Sequence, residues 1–213
     1  MRRLIAFILL AATLLPLTNP VANAQESQKV FMFVREGSRD LELMLKEEIN
    51  VMRQMLENAG YTVDIATPAD KPMVAESMTL LPTIKLADVD VANYAGVILP
   101  CMAPAADSPI PAEINAIARE AVEMGKPFAA SRGSVVTLAK AGGIDDREYA
   151  FATEVDIDER PEFANGMFLG TGVVRDGNIS TSGICPLSSR SLNLPDGTVG
   201  LTRSFIVSLN EAS

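Results

Sequence analysis

The chain contains no histidine and no tryptophan, and its only cysteines are Cys101 and Cys185. Without histidine, the Ser-His-acid and Cys-His catalytic arrangements are excluded, because both need an imidazole base. The common zinc sites are excluded as well, except for those built from cysteines and carboxylates. The acidic segments lack the glycine and the terminal glutamate of a calcium loop. We therefore predict no metal site and no cofactor.

Basic residues are scarce, because 18 lysines and arginines stand against 27 aspartates and glutamates, which gives a net charge of −9. The sequence has no run of basic residues and no cluster of aromatic residues on which bases would stack. A chain this acidic repels DNA, RNA and anionic membranes. Nucleic-acid binding is therefore not expected.

The one long apolar stretch lies at the N terminus. Arg2 and Arg3 precede the apolar residues 4–17, and residues 22–24 read Ala-Asn-Ala. A positive segment, an apolar segment and an A-x-A site together predict a secretory signal peptide. The stretch is shorter than the about 20 residues of a membrane span, so no stable membrane insertion is expected after cleavage. An uncleaved N-terminal anchor is the alternative.

Cleavage after Ala24 predicts a periplasmic or secreted protein with three parts. The signal peptide covers residues 1–24, a polar leader covers 25–28, and a single domain covers 29–213. Both signal-peptide arginines are lost on cleavage, so the mature net charge becomes −11, from 16 basic and 27 acidic residues. The remaining 189 residues are enough for one domain with a well-formed core.

Apolar runs typical of buried strands alternate with segments of helical periodicity. The predicted strands cover residues 30–34, 61–66, 96–100, 127–131, 149–153 and a hairpin around an Asp176–Gly177 turn. The predicted helices cover residues 41–60, 111–125, 133–142 and 198–209, and residues 78–86 form either an edge strand or a hairpin arm. This alternation predicts an α/β fold with a doubly wound, mostly parallel sheet and helices on both faces. Ligand sites in such sheets lie beyond the carboxyl ends of the strands.

Four segments, in order, resemble the ThiJ/PfpI superfamily, whose fold is the flavodoxin-like three-layer sandwich of class I glutamine amidotransferases. "GSRDLEL" is similar to the family's D-[VL]-E-L turn, and "GVILPCMAP" is similar to its strand followed by P-G-G-x-A-P. "GKPFAASRGSVVTLAKAG" resembles G-K-P-V-A-A-I-C-H-G-P-x-x-L-A-x-A-G, and "VVRDGNISTS" resembles V-V-D-G-N-x-x-T-S. The resemblance covers residues 29–209. It also implies a homodimer, because the family commonly forms dimers.

The same resemblance implies that the family's Cys-His-acid site is missing. Ser131 takes the position of the elbow cysteine, and Arg132 takes that of the following histidine. Arg39 stands where the family has an acidic residue, and Cys101-Met102 replace the paired glycines. The family's aldehyde-detoxifying, deglycase, chaperone and peptidase activities are implied by resemblance alone.

Ser131 and its neighbours allow three interpretations. Small residues on both sides fit a strand–turn–helix corner, so Ser131 is a candidate nucleophile, but the sequence nominates no base for it. It is also a candidate helix cap or a ligand-binding group. Arg39 and Arg132, with Gly133 and Glu36 nearby, form a candidate site for a small anion. The alternative is that each arginine pairs with a nearby acid or points to solvent.

The two cysteines also have three interpretations. Cys101 follows a buried strand and Cys185 follows the hairpin, so both are expected near the same cleft. They are a candidate disulfide, or Cys101 is a reactive thiolate, or both are buried and inert. Our first interpretation of function is an exported small-anion binding domain or pseudoenzyme. The alternative is a thiol-dependent hydrolase, carbonyl-detoxifying enzyme or redox enzyme that uses Cys101.

Overall fold

A six-stranded sheet lies at the centre of the protein, in a computed structural model that describes residues 28–35, 40–101, 110–152 and 157–213. The predicted signal peptide, Glu36 and Arg39 lie outside the described residues. The strands in chain order are β1 Lys29–Phe33, β2 Thr62–Ala66, β3 Met73–Val74, β4 Thr79–Leu80, β5 Gly96–Leu99, β6 Phe128–Ser131, β7 Glu148–Tyr149, β8 Met167–Phe168, β9 Val173–Asp176 and β10 Ile179–Ser182.

The central sheet has the strand order β2-β1-β5-β6-β10-β9. Its first five strands are parallel, and only β9 runs antiparallel, beside β10. Strand order therefore reverses at β1, as in flavodoxin-like sheets, and ligand sites form near that switch point. Strands β3 and β4 make a small antiparallel pair, and β7 and β8 make a small parallel pair.

Six α-helices accompany the sheet in the part of the chain that the structure describes. Their bounds are α1 Leu41–Met44, α2 Asn50–Asn58, α3 Ala112–Glu123, α4 Val135–Lys140, α5 Pro186–Leu192 and α6 Thr198–Glu211. A π-helical turn, Leu45–Ile49, joins α1 to α2 in one continuous helix, which we call the first helix. The Asp40 side chain begins that helix by accepting a 2.9 Å hydrogen bond from the Leu43 N–H.

The sheet is covered by helices on both faces because its strands are apolar on both sides. Alternate residues of a strand point to opposite faces. Phe31 and Phe33 accordingly pack in one apolar core with α3 and α4, and Val30 and Met32 pack in the other core with the first helix and α6. All four side chains are fully buried. The predicted α/β fold with a mostly parallel sheet is confirmed.

Several local predictions differ from the structure. Residues 78–86 were predicted to form either an edge strand or a hairpin arm. They contain β4, which is one arm of the β3–β4 hairpin. Of the described part of the predicted strand 149–153, only Tyr149 lies in a strand, Glu148–Tyr149, and helix α5 had no prediction at all. The other central strands lie within one or two residues of their predicted bounds. Within the described ranges, no helix has the length and apolar character needed to cross a membrane.

Candidate functional site

Three neighbouring strands end beside one another and bring distant parts of the chain together. Cys101 lies just beyond β5, Ser131 is the last residue of β6, and Cys185 lies just beyond β10. Strand β6 is hydrogen-bonded between the other two, and Ser131 is in register with Ser182 at the end of β10. Because the three strands are parallel, their carboxyl ends share one edge of the sheet. This edge holds the candidate site.

The two cysteines meet there as free thiols. Their side chains hydrogen-bond to each other, and no disulfide joins them in this structure. Cys101 is partly exposed, whereas Cys185 is fully buried. The sequence predicted that the two would lie near the same cleft, and the sheet does bring them into contact. The arrangement is therefore a dithiol in which Cys101 is the partly exposed residue.

The two thiols have opposite pKa shifts because they share a hydrogen bond. The pKa of Cys185 is lowered, first by the hydrogen bond from Cys101 and then, against the effect of burial, by Ser188 and by the positive charge of Arg132. The pKa of Cys101 is raised, first by its hydrogen bond to Cys185 and then by burial. The pair therefore loses one proton readily and holds the second firmly. Such a pair carries one thiolate, which is the reactive form of cysteine.

Ser188 holds the buried end of the dithiol. The Cys185 N–H donates a 2.9 Å hydrogen bond to Ser188 Oγ, and that hydroxyl lies 3.5 Å from Cys185 Sγ. The Cys185 backbone and the Ser188 side chain thus form a capping box at the start of α5. The cap fixes the position of the sulfur relative to the sheet.

A buried acid, Glu48, packs against the same strand ends. Its side chain has no exposed surface. The Ser131 hydroxyl donates a 2.5 Å hydrogen bond to Glu48 Oε1, and the Cys101 N–H donates a 3.1 Å hydrogen bond to Glu48 Oε2. Burial, and next the negative charge of Cys185, raise the pKa of Glu48 to about 8. The carboxyl is therefore mostly protonated at neutral pH.

Glu48 lies in the π turn of the first helix, Leu45–Ile49. Such turns are rare and occur frequently at functional sites. The first and last residues of the turn, Leu45 and Ile49, are buried in the core that contains Cys185. Glu48 is thus a polar residue in an otherwise apolar packing face, and its two hydrogen bonds compensate for its burial.

The corner after β6 has its unusual backbone at Arg132. Ser131 is extended, with φ −100° and ψ 124°, whereas Arg132 has φ 40° and begins the single 3-10 turn Arg132–Ser134. A left-handed conformation is uncommon for a residue with a side chain. Ser131 makes no capping hydrogen bond with the helix that follows, so the cap interpretation is wrong. Its hydroxyl is directed to Glu48 instead.

The predicted anion site has only part of its residues in the described structure. Glu36 and Arg39 lie outside it. The Gly133 N–H donates to the sulfur of Cys101, and Arg132 exerts its charge on Cys185. Gly133 therefore bonds to Cys101, and Arg132 lies near enough for its charge to act on Cys185.

Sequence analysis missed Glu48 and Ser188. A signal for Glu48 was present, because it falls three residues after Leu45 and four before Met52, on the apolar stripe of the first helix. A carboxylate in that stripe must be buried or must interrupt the packing. Ser188 had no comparable signal, because α5 itself was not predicted. Across the described ranges, no three His, Cys, Asp or Glu side chains are grouped so as to hold a metal ion.

Comparison with protein families agrees with this architecture. The family model described as "DJ-1/PfpI family" matches residues 28–186. No curated protein matches the chain.

Solved structures share the fold at low sequence identity. A ThiJ/PfpI domain protein from Brachyspira murdochii superposes with a TM-score of 0.63 at 16% identity, over 88% of this chain and 98% of that one. DJ-1beta from Drosophila melanogaster gives a TM-score of 0.57 at 18% identity, over 87% of this chain and 95% of that one. The putative protease I from Bacteroides thetaiotaomicron gives a TM-score of 0.61 at 14% identity, over 78% of this chain and 95% of that one.

Proposed function

The chain belongs to the DJ-1/PfpI family, and we propose that it is a thiol–disulfide redox protein whose reacting groups are Cys101 and Cys185. The observation that carries the proposal is the hydrogen bond between the two free thiols. Two sulfurs in contact, one with a lowered pKa, are the arrangement that thiol–disulfide exchange requires. This proposal develops the redox alternative drawn from the sequence.

The corner after β6 supports a site that uses Cys101 and Cys185, because an arginine holds the position of the family's cysteine. Counted without a gap from Gly125 to Gly142, the family pattern puts its cysteine at Arg132, not at Ser131. Arg132 also has the left-handed backbone that a nucleophile elbow imposes on its central residue. We therefore propose that Arg132 is the elbow residue. A guanidinium cannot act as a nucleophile, since it remains protonated.

The proposed reaction oxidises the dithiol and reduces a substrate disulfide. Cys101 attacks first because it is the more exposed residue of the two, and its proton passes to Cys185 along their shared hydrogen bond. The Cys101 sulfur bonds to one substrate sulfur, and the other leaves as a thiolate. The Cys185 sulfur then attacks Cys101 Sγ, releases the second substrate sulfur and gives its proton to that leaving group. One disulfide is formed and one is broken.

The small-anion interpretation has less support. The Gly133 N–H is already bonded to the sulfur of Cys101, and the charge of Arg132 acts on Cys185. We propose that the anion stabilised at this corner is the protein's own thiolate. The predicted export after Ala24 fits this proposal, because disulfides form and persist in the periplasm and outside the cell.

A thiol count across a series of glutathione buffers tests the redox proposal. The purified mature protein is equilibrated at increasing ratios of oxidised to reduced glutathione, quenched with acid and blocked with N-ethylmaleimide. Intact mass then gives the number of blocked thiols. We expect one transition from two blocked thiols to none, without bound glutathione, because the second cysteine displaces it.

Cys101→Ser and Cys185→Ser are the matched controls. Each keeps one thiol and has no partner for an internal disulfide. We expect both to accumulate a mixed disulfide with glutathione. If the wild-type protein keeps two blocked thiols at every ratio, the redox proposal is wrong.

A further inference from the structure

We propose that Glu48 supplies the second proton of the reaction and gives it up when the Cys101–Cys185 disulfide forms. This inference rests on the proposed redox function and assigns a proton-holding role to a residue that sequence analysis did not single out.

Glu48 is hydrogen-bonded at the dithiol site and is shielded from solvent. One carboxyl oxygen accepts the N–H of Cys101 at 3.1 Å, and the other accepts the hydroxyl of Ser131 at 2.5 Å. Glu48 has no exposed surface, and the two groups that donate hydrogen bonds to it are uncharged. Burial of a carboxyl favours its protonated form.

The charged and titratable groups that act on Glu48 are Cys101 beyond β5, Cys185 before α5 and Asp196 before α6. Arg132 acts on Cys185, and the neighbouring Glu47 forms an ion pair with Arg190. The Glu47–Arg190 pair is largely exposed, with a separation of 2.6 Å. Water screens such a pair strongly. Of the remaining groups, only the two cysteines lose their charge or proton when a disulfide forms.

Counting protons shows what Glu48 contributes. Reduction of a substrate disulfide to two thiols needs two electrons and two protons. The reduced dithiol carries one thiolate and therefore holds only one proton. The protonated carboxyl of Glu48 holds the other, which passes to the substrate sulfur that left as a thiolate. With Glu48, the site itself supplies both protons, and none has to come from solvent.

Oxidation provides the reason for Glu48 to release its proton. The negative charge of Cys185 is the second largest cause of the raised pKa of Glu48, after burial. A disulfide carries no charge, so that repulsion disappears when the pair is oxidised. The pKa of Glu48 therefore falls on oxidation and rises again on reduction. Electron transfer and proton transfer are coupled through this charge.

The equilibrium with glutathione measures the number of protons directly. Two glutathione thiols hold two protons, and their disulfide holds none. If the reduced protein takes up two protons, the equilibrium constant for its reduction by glutathione is independent of pH. In Glu48→Gln the protein takes up only one proton when it is reduced. The equilibrium constant for its reduction by glutathione then rises about tenfold per pH unit.

The experiment follows this equilibrium constant from about pH 6 to about pH 7.5, where glutathione thiols stay protonated. We expect the equilibrium constant to rise less steeply with pH for the wild type than for Glu48→Gln, for which the rise is about tenfold per pH unit. Glutamine fits the site, because its carbonyl accepts the Cys101 N–H while its amide donates to Ser131. Glu42→Gln is the matched control, since Glu42 has a pKa lowered to about 2 by Lys46 and Ser77 and stays ionised throughout.

The outcomes separate this inference from the redox proposal. Absence of a disulfide at every glutathione ratio overturns the proposed function. A disulfide that forms with the same pH dependence in wild type and Glu48→Gln leaves the redox function standing and overturns the role of Glu48. If Glu48→Gln does not fold, the wild-type profile decides alone, because a slope of about tenfold per pH unit contradicts two-proton uptake.

Discussion

The hydroxyl of Ser131 donates a 2.5 Å hydrogen bond to the buried carboxyl of Glu48, and this bond joins the end of β6 to the π turn of the first helix. Both side chains are almost completely buried. The bond favours the charged form of Glu48 and so opposes the larger effect of burial. Ser131 thus adjusts the acid beside the two cysteines.

Ser131→Ala is expected to raise the pKa of Glu48 above about 8, since it removes a bond that lowers that pKa. We expect a loss of about 1 kcal/mol in the free energy of unfolding. Carbon-13 NMR of glutamate-labelled protein follows the titration, with Glu48→Gln identifying the resonance. Ser180→Ala is the control, because Ser180 is equally buried on β10 and its hydroxyl has no hydrogen-bond partner. An unchanged titration in Ser131→Ala would contradict the prediction.

Ser188→Ala is expected to raise the pH at which the dithiol loses its first proton. The substitution removes a hydrogen bond that lowers the pKa of Cys185. The midpoint of a pH titration followed by the ultraviolet absorbance of the thiolate should therefore move to higher pH. Ser191→Ala is the matched control on the same helix, because the Ser191 hydroxyl bonds to the Ser188 carbonyl and does not contact sulfur. Equal midpoints in the two variants would exclude a role for the Ser188 hydroxyl.

Glu48→Gln is expected to stabilise the reduced protein at neutral and alkaline pH. The pKa of Glu48 is raised from 4.5 to about 8 in the folded protein. The wild type therefore loses stability as pH rises between these values, because only the unfolded chain ionises freely. Glutamine does not titrate, and each unit of pKa shift corresponds to about 1.4 kcal/mol. Urea denaturation should show that Glu48→Gln has a higher free energy of unfolding than the wild type. We expect the difference to be small at pH 4.5 and large at pH 8. A gain independent of pH would contradict this account.

Gly183→Ala is expected to destabilise the fold by about 1–3 kcal/mol through overpacking. A Cβ atom at Gly183 would overlap the carbonyl group of Phe151 and lie 2.9 Å from Thr171 Cα. Gly172→Ala is the matched control, because a Cβ atom there meets nothing within 4 Å. Urea denaturation compares the two variants. A loss in Gly172→Ala as large as that in Gly183→Ala would mean that the contact with Phe151 is not the cause.

The sequence predicted the fold well because the central strands are short apolar runs between turns. Fully buried residues such as Phe31 and Ile98 can be recognised as core from the apolar run alone, without knowing which residues they contact. Neighbouring strand ends then bring Cys101 and Cys185 to one edge of the sheet. The contact between the two sulfurs, however, depends on side-chain placement, which spacing along the chain does not determine.

Other parts of the site were beyond prediction for physical reasons. The π turn has no distinct periodicity, so the burial of Glu48 was visible only as a charge on an apolar stripe. The left-handed backbone of Arg132 contradicts the usual preference for glycine, and it was missed because the elbow was assigned to Ser131, one residue earlier. Helix α5 has seven residues, which is too short for a periodic pattern to be recognised.

The position of Cys185 beyond β10 has a consequence for how the protein acquires its reactive thiol during folding. Strand β10 pairs in parallel with β6, and this contact joins segments that are far apart in the chain. Parallel pairings of this kind form slowly, because a long loop must close first. Until they form, both cysteines behave as ordinary thiols in an extended chain. A thiolate at mildly acidic pH is therefore a property of the native state alone, and the appearance of its ultraviolet absorbance during refolding marks the moment when the last parallel strand joins the sheet.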